Sequence, residues 1–229
     1  MADSRTFRVF VSSTFTDFAE ERQILHDWVW PELRRQAQLL GARFVPIDLR
    51  WGIDRGAQLA HATVDICLRE LERCQGTSPQ LHSIVLIGQR YGWRPPPVRV
   101  SGELMDVLRG ADTQDPVLAC YAHDLNAVPA EWRLLPHVAW PNDFRGDRGE
   151  YELISRLHRL AELAGVGNRP EFWSITHREV AQALQSGTAP PLVYVRSITD
   201  LDSLDEPWNF SDAHSGKLVI PDGWLRQQQ

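Results

Sequence analysis

The sequence has few cysteines and no long apolar run. Its three cysteines, Cys67, Cys74 and Cys120, form neither an even disulfide set nor a C-x-x-C pair, which is typical of a reducing compartment. No stretch approaches the roughly 18 apolar residues of a membrane-spanning helix. Residues 1–8 lack the apolar core of a signal peptide. We therefore expect a cytoplasmic protein that is neither exported nor inserted in a membrane.

Positive charge is also scarce. The formal net charge is -6, and Lys217 is the sole lysine among 24 basic residues. Sequence-independent binding to a nucleic-acid duplex needs clustered positive charge that neutralises phosphates. We therefore expect no nucleic-acid partner. The other basic residues are arginines, whose planar guanidinium groups can bind carboxylates or phosphates through two parallel hydrogen bonds.

Several catalytic and metal-binding motifs are missing from the sequence. It contains no G-x-x-x-x-G-K-[ST] phosphate loop and no G-x-S-x-G nucleophile elbow. The eight histidines show neither H-x-x-x-H nor Cys–His ligand spacing, so we predict no metal site. These absences argue against a P-loop ATPase, a serine hydrolase and a metalloenzyme within this chain.

Short apolar runs alternate with amphipathic helical patterns in the first and last parts of the chain. The run SIVLIG at 83–88 is continuously apolar after Ser83, which is typical of a strand covered on both faces. Right-handed βαβ connections between such strands predict an α/β fold with a doubly wound, mainly parallel sheet of flavodoxin-like type. Strands are predicted at 7–11, 43–49, 83–88 and 192–196, and helices from Thr14 to Leu40 with a kink at Pro31, at 63–75 and at 176–185.

The alternation stops at three consecutive prolines, residues 95–97. We interpret residues 95–172 as an inserted helical and loop cap within a domain that spans residues 1–196. The following segment, 197–229, has five acidic and no basic side chains as far as Asp212, so we predict an acidic linker or tail. Within the cap, helices are predicted at 103–108 and 150–163.

Polar and aromatic residues follow the predicted strands at one edge of the sheet. In open α/β sheets, ligands bind beyond the carboxyl ends of the strands, where the strand order reverses. The hydroxyl and guanidinium groups at this edge suit a phosphate, and the aromatic rings suit stacking on a base or nicotinamide. Helix capping, ion pairing and simple packing are the structural alternatives. The predicted ligand-binding residues are Ser12, Ser13, Thr14, Phe15, Arg50, Trp51, Arg90 and Tyr91.

Glu179 is the candidate catalytic carboxylate, near the start of the last predicted helix. Thr176-x-x-Glu179 also fits a capping box, in which the glutamate bonds to the main chain of its own helix, and spacing alone favours this structural role. Glu70 is a weaker candidate that we interpret as a solvated charge on its helix.

Six ordered blocks resemble a known family. They resemble the amino-terminal domain of unknown function in NACHT and WD-repeat proteins, which is also found in the telomerase-associated vault protein and in bacterial NLR-like STAND ATPases. The resemblance covers residues 5–196. The blocks are VFVSSTFTDFAEER at 9–22, DLRWGI at 48–53, CLRELERC at 67–74, GQRYGW at 88–93, DLNAVP at 124–129 and SITHREV at 174–180.

This resemblance implies a TIR-like fold with a flavodoxin-type sheet. In enzymatic TIR domains, one glutamate on the helix after the third strand acts on the ribose of NAD. By position that residue is Glu179, with residues 12–15 and Arg90-Tyr91 lining the pocket. The family usually has an acidic residue where this chain has His177, which argues against a role for a second carboxylate.

One carboxylate suffices for the implied reaction. Nicotinamide leaves as a neutral group from a cationic ring, so no general acid has to protonate it, and the ribose passes through an oxocarbenium-like state that a carboxylate stabilises. The resemblance therefore implies an effector or signalling domain of a STAND-type defence protein. The implied substrate is NAD or a related nucleotide, which the domain cleaves once the parent protein self-associates. The resemblance implies no cofactor. A non-catalytic interaction module and a nucleotide sensor remain alternatives, so an enzyme is not the only interpretation.

Overall fold

The computed structural model describes residues 5–14, 16–49, 63–145, 148–185 and 189–205. The predicted ligand-binding residues Phe15, Arg50 and Trp51 lie outside these ranges, and so does most of the predicted tail. The described chain divides into two compact units. The second unit contains described residues from Arg94 to Ser174, and the first contains those on either side of that segment.

The regular elements follow the alternation expected from the sequence in the first unit. The strands of the described residues are β1 (Thr6–Ser12), β2 (Arg43–Ile47), β3 (Ser83–Ile87), β4 (Arg99–Ser101), β5 (Tyr121–Asp124), β6 (Glu131–Leu134) and β7 (Leu192–Val195). The α-helices are α1 (Ala19–Ile24), α2 (Trp30–Leu39), α3 (Thr63–Thr77), α4 (Gly102–Ala111), α5 (Gly149–Leu163) and α6 (Ile175–Gln185). Short 3-10 helices lie at Pro116–Cys120, His137–Ala139, Asn142–Phe144, Pro170–Phe172 and Leu201–Ser203.

Four parallel strands form the sheet of the first unit, in the order β2-β1-β3-β7. Because β1 has the second strand on one side and the third on the other, the strand order reverses at β1. The predicted α/β class and mainly parallel sheet are confirmed. The boundaries of 1–196 for a domain and 197–229 for a tail stay predictions.

Both faces of β1 are covered by helices. Successive side chains of a strand point to opposite faces. Phe10 packs with Cys67 and Leu71 of α3, whereas Val11 packs with Phe18 and Trp30 on the other face. The helix α3 therefore turns Cys67 and Leu71 into the core.

A π-helical stretch, Leu25–Val29, joins α1 to α2. Pro31 has no amide hydrogen, so regular helical bonding cannot pass through it, and a π-helical turn holds an extra residue. The extra residue shifts which side chains face the core. Trp30 is buried, whereas Trp28 and Leu40 are exposed.

The second unit contains a sheet that the sequence did not predict. Three antiparallel strands lie in the order β4-β6-β5, so the expected helical and loop cap is wrong in this respect. These strands are three or four residues long and mix charged with apolar side chains, which leaves no alternation to detect. The two predicted helices of this segment are α4 and α5, and they pack on an apolar core with the sheet.

Candidate active site

Ser12 and Glu179 meet at the end of β1. Ser12 is the last residue of the strand, and its hydroxyl donates a hydrogen bond to Oε2 of Glu179 on α6 at 2.5 Å. Both side chains are buried, and Glu179 is 5% exposed. The structure therefore brings the candidate carboxylate and one predicted ligand-binding residue together where the strand order reverses.

Burial controls the ionisation of Glu179. Removal from water penalises the charged form and raises the pKa of Glu179 to about 7. Hydrogen bonds from Ser12 and from the thiol of Cys67 oppose this shift, and so does the positive charge of Arg22. A buried carboxyl group that titrates near neutral pH at a strand end is typical of functional sites.

Glu179 does not form the capping box that its spacing suggested. The helix α6 begins at Ile175, so Thr176 is the second helical residue rather than the cap. The carboxylate bonds to Ser12 and Cys67, which come from other elements. The capping interpretation is therefore wrong, because the helix starts earlier than the predicted residue 176.

A buried arginine organises the loop after β1. Arg22 on α1 is 1% exposed, and its Nε donates to Oγ of Ser13 at 2.8 Å. The same guanidinium group donates to the carbonyl oxygens of Val11 and Ser13 and forms an ion pair with Asp48, just after β2. The sequence analysis missed this role, although Arg22 ends the first block of the family resemblance.

The other two hydroxyls of the loop also have protein partners. Ser13 donates to the carbonyl oxygen of Thr14 at 2.7 Å, and Thr14 donates to Oδ1 of Asp17. Burial raises the pKa of Asp17, against the opposing charges of Arg196 and Arg90. A phosphate would have to exchange these bonds for its own, so phosphate binding by this loop stays a prediction.

Tyr91 packs against a histidine in the first unit. Its hydroxyl lies 2.8 Å from Nδ1 of His177, and the two rings meet edge to face with centroids 5.7 Å apart. Burial lowers the pKa of His177 to about 4, so this ring is neutral at neutral pH. Tyr91 is buried, which favours packing over ligand stacking in this arrangement.

Glu70 is an ion-pair residue on α3. Its Oε2 accepts a hydrogen bond from Arg8 of β1 at 3.0 Å, and its Oε1 accepts one from Arg73. The Arg73 pair agrees with the expected charged helix face, whereas the Arg8 contact shields Glu70 more than that expectation implied. This residue is a suitable control for substitutions of Glu179.

The described cysteines are free and buried, and burial raises the pKa of each thiol, that of Cys74 to about 11. Within the described ranges, no three or more His, Cys, Asp or Glu side chains are grouped so as to hold a metal ion. No helix in that part of the chain is both long and apolar enough to cross a membrane.

A family model described as a domain of unknown function, DUF4062, matches residues 8–149. The chain belongs to the DUF4062 family. Five of the six resemblance blocks lie within the matched residues, whereas Glu179 lies beyond them.

Several relatives of this chain are named as NACHT-containing proteins. NACHT domain- and WD repeat-containing protein 1 of Mus musculus is 35% identical over 202 residues, which are 80% of this chain and 12% of that protein. NACHT and WD repeat domain-containing protein 2 of Homo sapiens is 31% identical over 142 residues, or 58% of this chain and 8% of that protein. The relatives are consistent with a domain of a NACHT protein, and they confirm this part of the resemblance.

Telomerase protein component 1 of Rattus norvegicus is 36% identical over 92 residues, which are 40% of this chain and 3% of that protein. The chain therefore spans 12% or less of the length of each of these three relatives. No solved structure matches the chain.

Proposed function

We propose that this domain cleaves the nicotinamide–ribose bond of NAD or a related nucleotide, with Glu179 as the catalytic residue. The observation that supports the proposal is the carboxyl group of Glu179 at the end of β1, with a pKa raised to about 7 by burial. Ligands of open α/β sheets bind at this place, where the strand order reverses. The carboxyl group with the raised pKa therefore lies where a ligand of this kind of sheet is expected.

The strand order supports a flavodoxin-like, TIR-like sheet. The order β2-β1-β3-β7 is that of the first four strands in the doubly wound order 2-1-3-4-5. On this proposal the domain is a cytoplasmic effector or signalling domain of a STAND-type defence protein. It acts when the parent NACHT protein self-associates.

The chemistry requires the ionised form of Glu179. A carboxylate beside the ribose hydroxyls stabilises the oxocarbenium-like charge that develops as nicotinamide leaves, and a water molecule from solvent then adds to the anomeric carbon and releases a proton. The hydroxyl of Ser12 donates a hydrogen bond to Oε2 of Glu179. A bound ribose hydroxyl therefore has to replace Ser12 as the donor or donate to the same oxygen beside it. The proposed nucleotide contacts remain Ser12, Ser13, Thr14, Phe15, Arg50, Trp51, Arg90 and Tyr91.

The low exposure of Glu179 favours a second candidate function. At 5% exposure, its carboxyl group has little room for a substrate in this arrangement. A non-catalytic interaction module or a nucleotide sensor of the same fold would keep the cluster of Glu179, Ser12 and Cys67 as an internal support. This alternative predicts no turnover under any condition.

Nicotinamide release from NAD separates these functions. The full chain is clustered on a multivalent scaffold and incubated with NAD between pH 6 and 8. We expect release that rises through pH 7 as Glu179 ionises, and that falls about 100-fold or more in both Glu179→Gln and Glu179→Ala. The matched control Glu70→Gln should keep the wild-type rate.

Absence of release from the clustered wild type would overturn the enzymatic proposal and favour the interaction module. A thermal shift with NAD but no release would instead favour the sensor. Equal loss in Glu70→Gln would attribute the effect to general disruption of α3 and α6 rather than to chemistry at Glu179.

A further inference from the structure

The main chain on both sides of Ser12 is held by one side chain, that of Arg22 on α1. Nη2 of its guanidinium group lies 3.5 Å from the carbonyl oxygen of Val11 and 3.4 Å from that of Ser13. Its Nε donates to Oγ of Ser13 at 2.8 Å. Ser12, the last residue of β1, therefore lies between two residues that the same guanidinium group contacts.

This guanidinium group lies where β2 no longer supports β1. In the part of the chain that the structure describes, the last residue of β1 that pairs with β2 is Phe10, opposite Ile47. Beyond that pair, the described residues of β1 pair only with β3, as far as Ser12. Buried carbonyl groups need hydrogen-bond donors. The guanidinium group therefore supplies donors where pairing with β2 has ended.

An acidic residue fixes the orientation of the guanidinium group. Nη1 of Arg22 forms an ion pair with Oδ1 of Asp48, which follows β2 directly and whose side chain is 14% exposed. A buried guanidinium group without a carboxylate would be an unpaired charge of high free-energy cost. Arginine presents its donors in a planar, rigid arrangement, whereas the ammonium group of lysine is a compact point charge. Lysine therefore cannot reproduce these contacts at one position.

Ser12 connects this arrangement to the candidate carboxylate. Burial raises the pKa of Glu179, and the hydrogen bond that its Oε2 accepts from Ser12 opposes this effect because it favours the ionised form. Two further groups that act on Glu179 in the same direction as Ser12 are the thiol of Cys67 on α3 and the positive charge of Arg22. Displacement of Ser12 would therefore change the ionisation of Glu179.

We propose that Arg22 is a positioning residue that holds Ser12 in contact with Glu179, and that Asp48 keeps its guanidinium group in place. The role requires the planar set of donors as well as the positive charge. Its importance for NAD cleavage rests on the proposed function, whereas its effect on the contact between Ser12 and Glu179 does not.

Titration of the Glu179 carboxyl group tests this role. The full chain is labelled with carbon-13 at the glutamate carboxyl carbons, and the signal of Glu179 is assigned by its absence from Glu179→Gln. In Arg22→Lys, which keeps the charge but not the donor set, we expect the pKa of Glu179 to rise by about 1 pH unit through loss of the Ser12 hydrogen bond. Ser12→Ala should give a similar rise, and the double variant should rise no further.

The matched control is Arg35→Lys. Arg35 of α2 binds Glu32 on the exposed surface through two donors, at 2.8 and 2.7 Å. This variant loses a comparable donor set away from the site, so it should leave the pKa of Glu179 unchanged. Ser13→Ala removes the 2.8 Å hydrogen bond from Arg22 without a change of charge, and it should raise the pKa of Glu179 by a smaller amount than Arg22→Lys does.

An unchanged pKa of Glu179 in Arg22→Lys would overturn the proposal. Rises in Arg22→Lys and Ser12→Ala that add in the double variant would also overturn it, because additive effects mean that Arg22 does not act through Ser12. An equal rise in Arg35→Lys would do the same. If Arg22→Lys does not fold by circular dichroism, Ser13→Ala decides: a raised pKa supports the role of Arg22 and an unchanged one overturns it.

Nicotinamide release from the same clustered variants separates this proposal from the enzymatic one. If the wild type releases nicotinamide, kcat should fall about tenfold in Arg22→Lys, and the pH at which release rises should move upward with the pKa of Glu179. If the wild type releases none, the enzymatic proposal fails, and the carboxyl titration still decides whether Arg22 holds Ser12 against Glu179.

Discussion

Both units of the chain bury apolar side chains, and they differ in the charged groups buried beside them. In the first unit, the interior at the end of β1 contains Ser12, Arg22 and Glu179. In the second unit the core is an apolar cluster that includes Leu157 and Phe172. Burying charged groups costs free energy that apolar packing does not, so buried charge is weak evidence for stability. The difference indicates that the first unit carries the candidate site and that apolar packing stabilises the second.

Removal of core volume from the second unit should have the largest effect. Leu157 on α5 is fully buried, so Leu157→Ala should lower the free energy of unfolding by about 2 to 5 kcal/mol through lost transfer free energy and a cavity. Leu163 on the same helix is 71% exposed, and Leu163→Ala should change stability by no more than about 0.5 kcal/mol. Urea denaturation measures the free energy of unfolding of both variants. Equal losses in the two would contradict an apolar core as the main source of stability of the second unit.

Replacement of the buried charge in the first unit should stabilise the protein above neutral pH. The pKa of Glu179 is raised from 4.5 to about 7, so its contribution to stability is present below pH 4.5 and is lost as the pH rises through 7. By pH 8 the loss amounts to about 3 kcal/mol. The free energy of unfolding that Glu179→Gln gains over the wild type should therefore be larger at pH 8 than at pH 5. The same difference measured for Glu70→Gln is the reference.

Thermal and urea denaturation at the two pH values measure this difference. A pH dependence that is the same in the wild type and in Glu179→Gln would show that Glu179 titrates normally. That result would also remove the main support for its catalytic role.

In the second unit, we expect a smaller loss of stability at acid pH, which comes from a buried histidine. His158 is 1% exposed, its Nδ1 has no hydrogen-bond partner, and burial lowers its pKa from 6.5 to about 4. Its contribution to stability is therefore full above pH 6.5 and is lost as the pH falls through 4, amounting to about 2 kcal/mol by pH 5. His158→Gln should lose less stability between pH 7 and 5 than the wild type.

The exposed His123 supplies a matched substitution, and the stability that His158→Gln loses between pH 7 and 5 is compared with the loss in His123→Gln. His177 shifts in the same direction in the first unit and is present in both variants, so the comparison between them isolates His158. Identical slopes for the two variants would contradict burial of a neutral imidazole in the second unit.

Prediction from sequence succeeded where the signal was local and strong. The apolar run at 83–88 predicted β3, and the amphipathic spacing predicted α3 within two residues of its end. The strands β4, β5 and β6 were missed because they are short and mix charged with apolar residues. Their pairing depends on the partner strand, which no local pattern reports.

The residues of the candidate site were also predicted only in part from the sequence. The rule for strand ends selected Ser12, and the family resemblance selected Glu179, which the structure brings into contact. Neither pointed to Cys67 or Arg22 as neighbours of that carboxyl group, because α3 and α1 meet it only in the folded chain.

By itself, the sequence determined the order of strands and helical segments in the first unit and placed Glu179 in the first turns of α6, because hydrophobic periodicity is a property of neighbouring residues. Only the tertiary structure decided that this carboxyl group is buried between Ser12 and Cys67 and titrates near neutral pH. Desolvation depends on every element packed around a group, and such packing is absent until the chain folds.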